Sequence, residues 1–212
     1  MKRGLYIAFL LFVCQLIQAQ DPEFSQYYAA PLYLNPAFSG TGNDQRFIAN
    51  HRNQWPNITQ GYVTYAFSYD FSMDYLNSGF GILAMVDKAG TAGLKSTQIN
   101  LQYAYKVNVS NKFVFSSGLN FGVGNRNIDF NKLIFSDQLE FDRDGDPPPS
   151  ADYNNIQSAT YFDFGAGALI YSRTLWLGFS ASHLNRPNRS LIDEEAIIPI
   201  KTTIHGGIRI PL

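Results

Sequence analysis

Ser96-Thr97-Gln98-Ile99-Asn100-Leu101-Gln102-Tyr103-Ala104-Tyr105-Lys106-Val107-Asn108-Val109 is the stretch that decides the fold. One parity carries Thr97, Ile99, Leu101, Tyr103, Tyr105, Val107 and Val109, and the other carries Ser96, Gln98, Asn100, Gln102, Ala104, Lys106 and Asn108. Successive side chains of a strand point to opposite faces, so the stretch reads as one strand with an apolar and a polar face. A helix would scatter the same apolar positions around its axis. The run is longer than the ~5–6 residues of an ordinary soluble strand.

The same alternation recurs along the chain. Val63, Tyr65, Phe67, Tyr69 and Phe71 oppose Tyr62, Thr64, Ala66, Ser68 and Asp70. Phe113, Phe115, Leu119, Phe121 and Val123 oppose Ser116, Gly118, Asn120, Gly122 and Gly124. Phe162, Phe164, Ala166, Ala168 and Ile170 oppose Tyr161, Asp163, Gly165 and Gly167, and Leu175, Leu177, Phe179 and Ala181 oppose Thr174, Trp176, Gly178 and Ser180. Weaker alternation covers 46–53, 79–87 and 202–210, which brings the expected strands to eight.

Composition says which surroundings suit such strands. The 212 residues are 45% hydrophobic and 15% aromatic but only 16% charged, where about a quarter is usual. Disorder is excluded, because disordered chains are charged and poor in aromatics. A net charge of −1 and a pI near 6.3 exclude a nucleic-acid footprint. The polar parity is built from Gly, Ser, Thr, Asn and Gln, and charges gather in the connections. A soluble sandwich would instead wet its polar face with Lys and Glu. The pattern therefore predicts an antiparallel transmembrane β-barrel, its apolar face toward lipid and its small polar face inward. Hydrocarbon demands closure, since an open edge strands backbone N–H and C=O groups.

The N-terminus reads as an export signal. Lys2 and Arg3 precede an apolar run over 5–16, and Ile17-Gln18-Ala19 offers a cleavage site, so 1–19 is expected to be a signal peptide. The run is shorter than the ~20 residues of a spanning helix. Cys14, the one cysteine, lies within it, so the mature chain has no disulfide, thiol nucleophile or Cys-ligated metal. With the mature N-terminus on the periplasmic side, short connections at 72–78, 110–112 and 172–173 fall inside. Those at 54–60, 88–94, 125–159 and 185–201 fall outside, and the two longest are both external, as bacterial barrels prefer.

More specific residues follow the signal. Asp21-Pro22-Glu23-Phe24-Ser25-Gln26-Tyr27-Tyr28 leads into Pro31-Leu32-Tyr33-Leu34-Asn35-Pro36-Ala37-Phe38-Ser39-Gly40-Thr41, and then come Arg52-Asn53-Gln54-Trp55-Pro56 and Ser68-Tyr69-Asp70. Later marks are Asp87-Lys88-Ala89-Gly90, Tyr161-Phe162-Asp163-Phe164-Gly165-Ala166-Gly167-Ala168 and His183-Leu184-Asn185-Arg186-Pro187. In order and spacing, these resemble the PorP/SprF family of outer-membrane proteins of the type IX secretion and gliding machinery. The resemblance implies a barrel distantly similar to the FadL-type long-chain fatty-acid channels, which also carry an N-terminal Asn-Pro-Ala element. It implies a non-enzymatic role in which particular exported surface proteins, often large adhesins, are docked or retained. It further implies contact with periplasmic, peptidoglycan-associated components and with outer-membrane lipids. The runner-up is a passive channel for hydrophobic solutes. Family members generally continue through several more strands, so the eight make either a small complete barrel or the front part of a larger one.

The expected organisation is thus a signal peptide at 1–19, an N-terminal periplasmic arm or plug at 20–45 and a barrel at 46–212. The residues singled out for structural or partner-binding roles are Asn35, Pro36, Ala37, Arg52, Asn53, Gln54, Trp55, Asp70, His183, Asn185 and Pro187. Pro36 restricts Asn35 to extended geometry, and 21–41 is rich in Tyr, Phe and Pro without periodicity; it is expected to sit in the periplasmic mouth. Among chemical alternatives, Glu140-Phe141-Asp142-Arg143-Asp144-Gly145-Asp146 has carboxylates at alternate positions before a glycine, but the twelfth place is Ala151 rather than Glu, which leaves a solvated loop rather than a calcium site. Ser182 beside His183 points to the opposite strand face, so no nucleophile–base pair forms there. Arg46, Arg52, Lys106, Arg209 and Asp70 on the polar parities either pair within a filled interior or line a pore. No catalytic, cofactor or metal site is expected.

Overall fold

The computed structural model describes residues 21–42, 44–57, 61–90, 93–129, 133, 158–192 and 194–210. The expected signal peptide and the acidic loop at 140–146 lie outside the described residues. All eight expected strands form: β1 (Gln45–Gln54), β2 (Tyr62–Met73), β3 (Ser78–Ala89), β4 (Leu94–Asn108), β5 (Val114–Asn127), β6 (Ala159–Tyr171), β7 (Leu175–Ser182) and β8 (Lys201–Ile208). Each pairs antiparallel with the next in one sheet of order β1 to β8, curled into a half-barrel. The last strand ends two residues earlier than its alternation suggests.

The two faces are inverted relative to a soluble protein. On β4 the apolar parity points outward, with Leu101 59% exposed, while neighbouring Gln102 is 5% exposed. On β2, Tyr65 and Phe67 are exposed and Ala66, Ser68 and Asp70 are buried. Aromatic rings pair across strands on this convex side: Phe47 stacks on Tyr69 at 4.4 Å and Phe121 meets Phe164 edge-on at 5.7 Å. Among the described residues no second sheet covers this face, so the apolar rows do not form a sandwich core there.

What fills the concave side is the N-terminal segment. Pro31 opens one turn of α-helix, Pro31–Leu34 (α1), at the position where its missing N–H costs nothing. Asn35 ends that turn in extended geometry, as the following Pro36 requires. Its side chain accepts from Ala37 N at 2.9 Å and caps the 3-10 turn Pro36–Phe38. The segment lies directly on sheet backbone. A Cβ built on Gly79 would sit 2.1 Å from Ser39 O, and one on Gly118 would sit 2.3 Å from Ala37 N. Inner-face glycines at these two positions allow backbone to approach backbone, which no other residue permits.

Rather than occupying one mouth, the segment runs the height of the sheet. Asp21 meets His183 at the end bearing the long connections, and Gly40 meets Asp70 and Lys106 at the end bearing the short turns. It also touches both edge strands, through Asn50 Nδ2 to Ala29 O at 3.1 Å on β1 and through Asn35 to His205 on β8. β1 and β8 are not paired with each other.

Gly118→Ala is expected to expel the segment locally, at a cost of ~1–3 kcal/mol typical of overpacking, and to expose 21–41 to protease in detergent. Gly42→Ala, whose Cβ would meet only Arg46 side-chain atoms at 3.7 Å or beyond, is expected to leave protection unchanged. Equal protease sensitivity in both variants would contradict the packing described.

Candidate functional site

Three buried polar clusters tie the segment to the sheet, one at each level. In the middle, Asn35 is fully buried. Its Nδ2 donates to Ala168 O at 3.1 Å and Phe179 O at 3.0 Å, carbonyls of residues directly opposite one another on β6 and β7. The same nitrogen lies 3.1 Å from His205 Nε2. An amide nitrogen only donates, and its two N–H groups are shared among these three acceptors, so Nε2 accepts and the His205 proton sits on Nδ1, which has no partner among the described residues. Gly167 and Gly178 make the space: a Cβ on the first would lie 2.0 Å from Asn35 Oδ1 and one on the second 2.4 Å from His205 Cε1. Close by, Ser116 donates to Ala37 O at 2.8 Å, Ser180 to Leu34 O at 2.8 Å and Gln102 to Leu32 O at 2.9 Å.

At the short-turn end, Asp70 is 1% exposed and accepts twice from Arg46, Nε to Oδ1 at 2.8 Å and Nη2 to Oδ2 at 2.9 Å. The fork geometry suits a planar guanidinium. Gly40 N adds a third bond to Asp70 Oδ2 at 2.8 Å, while Lys106 donates to Gly40 O at 2.8 Å and Ser72 at 2.6 Å. These charges belong to a filled interior rather than to a pore wall.

At the long-connection end, His183 is bound on both ring nitrogens: Nδ1 lies 2.9 Å from Asp163 Oδ1 on β6, and Nε2 lies 2.8 Å from Asp21 Oδ2. Arg189 and Lys201 flank Asp21 at 3.8 Å and 3.9 Å, and Lys201 also contacts Glu23. Burial disfavours the imidazolium, but the hydrogen bonds and charges of Asp163 and Asp21 outweigh it and lift His183 from 6.5 to about 9. Burial alone would raise Asp21; its bond to His183 and the charges of His183, Lys201 and Arg189 instead hold it below its usual value. His183 is therefore a cation at neutral pH. With a carboxylate on each nitrogen it has none free to take a proton from a hydroxyl.

The remaining singled-out residues divide between faces. Arg52 and Gln54 point inward and bond each other, whereas Asn53 and Trp55 are exposed. Pro36 and Ala37 are buried with Asn35. Asn185 acts on backbone: its Nδ2 donates to Phe162 O at 2.8 Å and its Oδ1 accepts from Phe164 N at 3.1 Å. β7 pairs with β6 only from Ala166 onward, so Asn185 satisfies the stretch of β6 that β7 leaves uncovered. Pro187 is buried, and its carbonyl accepts from Ile198 N at 2.9 Å. Trp55 and Arg186 adopt φ of 58° and 48° although each precedes proline, where extended geometry is the local preference. His183 shares this left-handed conformation at φ 59°, a cost of ~1–3 kcal/mol for a non-glycine residue that its two charged hydrogen bonds offset. Asp21, Gln102, Ser116, Asp163 and Ser180 carry much of the network without having been singled out. For all but Asp21, their signal was a polar side chain on an inward parity.

Asn35→Ala is expected to leave Ala37 N and His205 Nε2 without their partner, at ~1–3 kcal/mol for each unsatisfied buried group, and to lower the melting temperature in detergent. Asn35→Asp should destabilise at least as much, because it keeps the cap but sets a carboxylate against two carbonyls; a stable Asp variant would contradict the donor role. For His183 the folded value lies above the unfolded one, so its contribution is complete below pH 6.5 and is lost as pH rises through about 9. The loss amounts to ~3 kcal/mol at most. Between pH 7 and 10 the wild type should lose stability relative to His183→Gln, measured by thermal unfolding; parallel curves would contradict the charged bridge.

No curated protein and no solved structure matches the chain. A family model described as type IX secretion system membrane protein PorP/SprF matches residues 16–212, which takes in the segment, all eight strands and all three clusters. The chain belongs to the PorP/SprF family of type IX secretion system membrane proteins.

Proposed function

We propose that this chain is an outer-membrane barrel that serves type IX secretion as an accessory component, docking or retaining specific exported surface proteins such as adhesins, with no enzymatic step of its own. Residues 21–41 act in it as a fixed plug. The carrying observation is the inverted sheet whose interior is occupied by its own N-terminal segment through buried hydrogen bonds at three levels. An apolar convex face suits lipid, and a filled bore suits a rigid platform better than a conduit. In this orientation the end bearing the short turns faces the periplasm and meets peptidoglycan-associated components. The long connections face outward toward the exported protein.

A strain lacking the protein is expected to lose surface display of its exported adhesin while its uptake of apolar solutes stays normal. Immunofluorescence of intact cells and a labelled fatty-acid uptake assay read the two outcomes. Retained display with reduced uptake would replace the docking role with a hydrophobic-solute channel.

A further inference from the structure

The short-turn end contains a cleft of about 930 Å3 between the N-terminal segment and the ends of β4 to β8. Three cations line it from three separate places: Lys112 in the β4–β5 turn, Arg173 in the β6–β7 turn and Arg209 just after β8. All three are exposed, and none has an ion pair among the described residues. Arg46 also reaches the cleft, but Asp70 neutralises it. Among the described residues, no Asp or Glu lines the cleft. Its apolar part is formed by Tyr27, Leu34, Phe38, Leu169 and Trp176.

From these features we infer that the cleft is a docking site for an acidic, extended polypeptide segment of a periplasmic partner. The inference deepens the docking role proposed above and rests on the orientation given there. Neighbouring strands are ~4.8 Å apart, so turns two strands apart set Lys112 and Arg173 ~10 Å from each other. Arg209 extends the row: its backbone N–H bonds Thr174 O at 2.7 Å, just past Arg173. One phosphate or one carboxylate cannot reach all three. An extended chain advances ~3.3 Å per residue, so acidic residues ~6–7 Å apart on one face come within reach of the long, flexible Lys and Arg side chains of the row, while the side chains between them enter the aromatic floor. With three cations and no carboxylate among its described lining residues, the cleft favours acidic over basic segments.

Fluorescence anisotropy on the detergent-solubilised full chain tests this with a labelled peptide in which Glu alternates with Tyr, beside its Lys-for-Glu counterpart. The wild type is expected to bind the acidic peptide, more weakly at high salt, and to ignore the basic one. The combined Lys112→Glu, Arg173→Glu and Arg209→Glu variant should bind more than about tenfold more weakly. The Lys88→Glu, Lys95→Glu pair at the opposite end should bind as the wild type does. Unaltered melting temperature and protease protection of 21–41 show that the variants fold. No binding by the wild type, equal binding by the triple variant, or binding only to phosphatidylglycerol vesicles would overturn the inference. Loss of adhesin display on deletion, with peptide binding indifferent to the triple substitution, overturns the cleft assignment and leaves the docking role standing. Intact display on deletion overturns the docking role itself.

Discussion

The convex face of this sheet offers water and polar partners almost nothing, so its concave face has to be satisfied from within the chain. That constraint accounts for the N-terminal segment. Inward-facing Gln102, Ser116 and Ser180 each donate to a carbonyl of the segment, at Leu32, Ala37 and Leu34. In return Asn35 donates to carbonyls of β6 and β7. Each side carries the partners that the other lacks. A buried polar group without a partner costs a few kcal/mol, and the reciprocal arrangement leaves a single buried side-chain atom unpaired, His205 Nδ1, among the described residues.

Charge follows the same logic at the two ends. Arg46 with Asp70, and His183 with Asp163 and Asp21, place full charges where hydrogen bonds hold them in fixed geometry. Both groups join a residue of the segment or its backbone to the sheet: Gly40 N at one end, Asp21 at the other. The segment is thereby fixed at its ends by charged bonds and in its middle by neutral ones. Charge-assisted bonds are roughly twice as strong as neutral ones, so the ends are where sliding is resisted most. Lys112, Arg173 and Arg209 stand outside this economy, since nothing in the interior uses them.

The strands were legible because period-two alternation is a local signal, and Ser96 to Val109 states it almost without exception. The inner glycines were legible too, as a small face expecting close packing. The partner of each inner polar residue was not, because those pairings are remote along the chain: Asn35 meets His205, and Asp21 meets His183. No periodicity links such positions. The height of the segment is not legible for the same reason, since Asp21 is placed by His183 at the far end of the sheet rather than by anything near it. Trp55 and Arg186 show the limit of a local rule. Proline favours an extended predecessor, yet both take left-handed geometry because each sits where the chain leaves or skirts a strand end and must turn.

The width of the interior bears on how the sheet closes. Eight strands closed on themselves enclose room for side chains and little else. Here the concave space holds a whole polypeptide segment, with Ala37 N where a Cβ of Gly118 would be and Ser39 O where one of Gly79 would be. Drawing β1 onto β8 would have to expel α1 and the turn after it, and with them Asn35, which is fully buried. The linear order from β1 to β8 is what that obstruction predicts. The segment instead bridges the two edge strands itself, through Ala29 O to Asn50 on β1 and through Asn35 to His205 on β8.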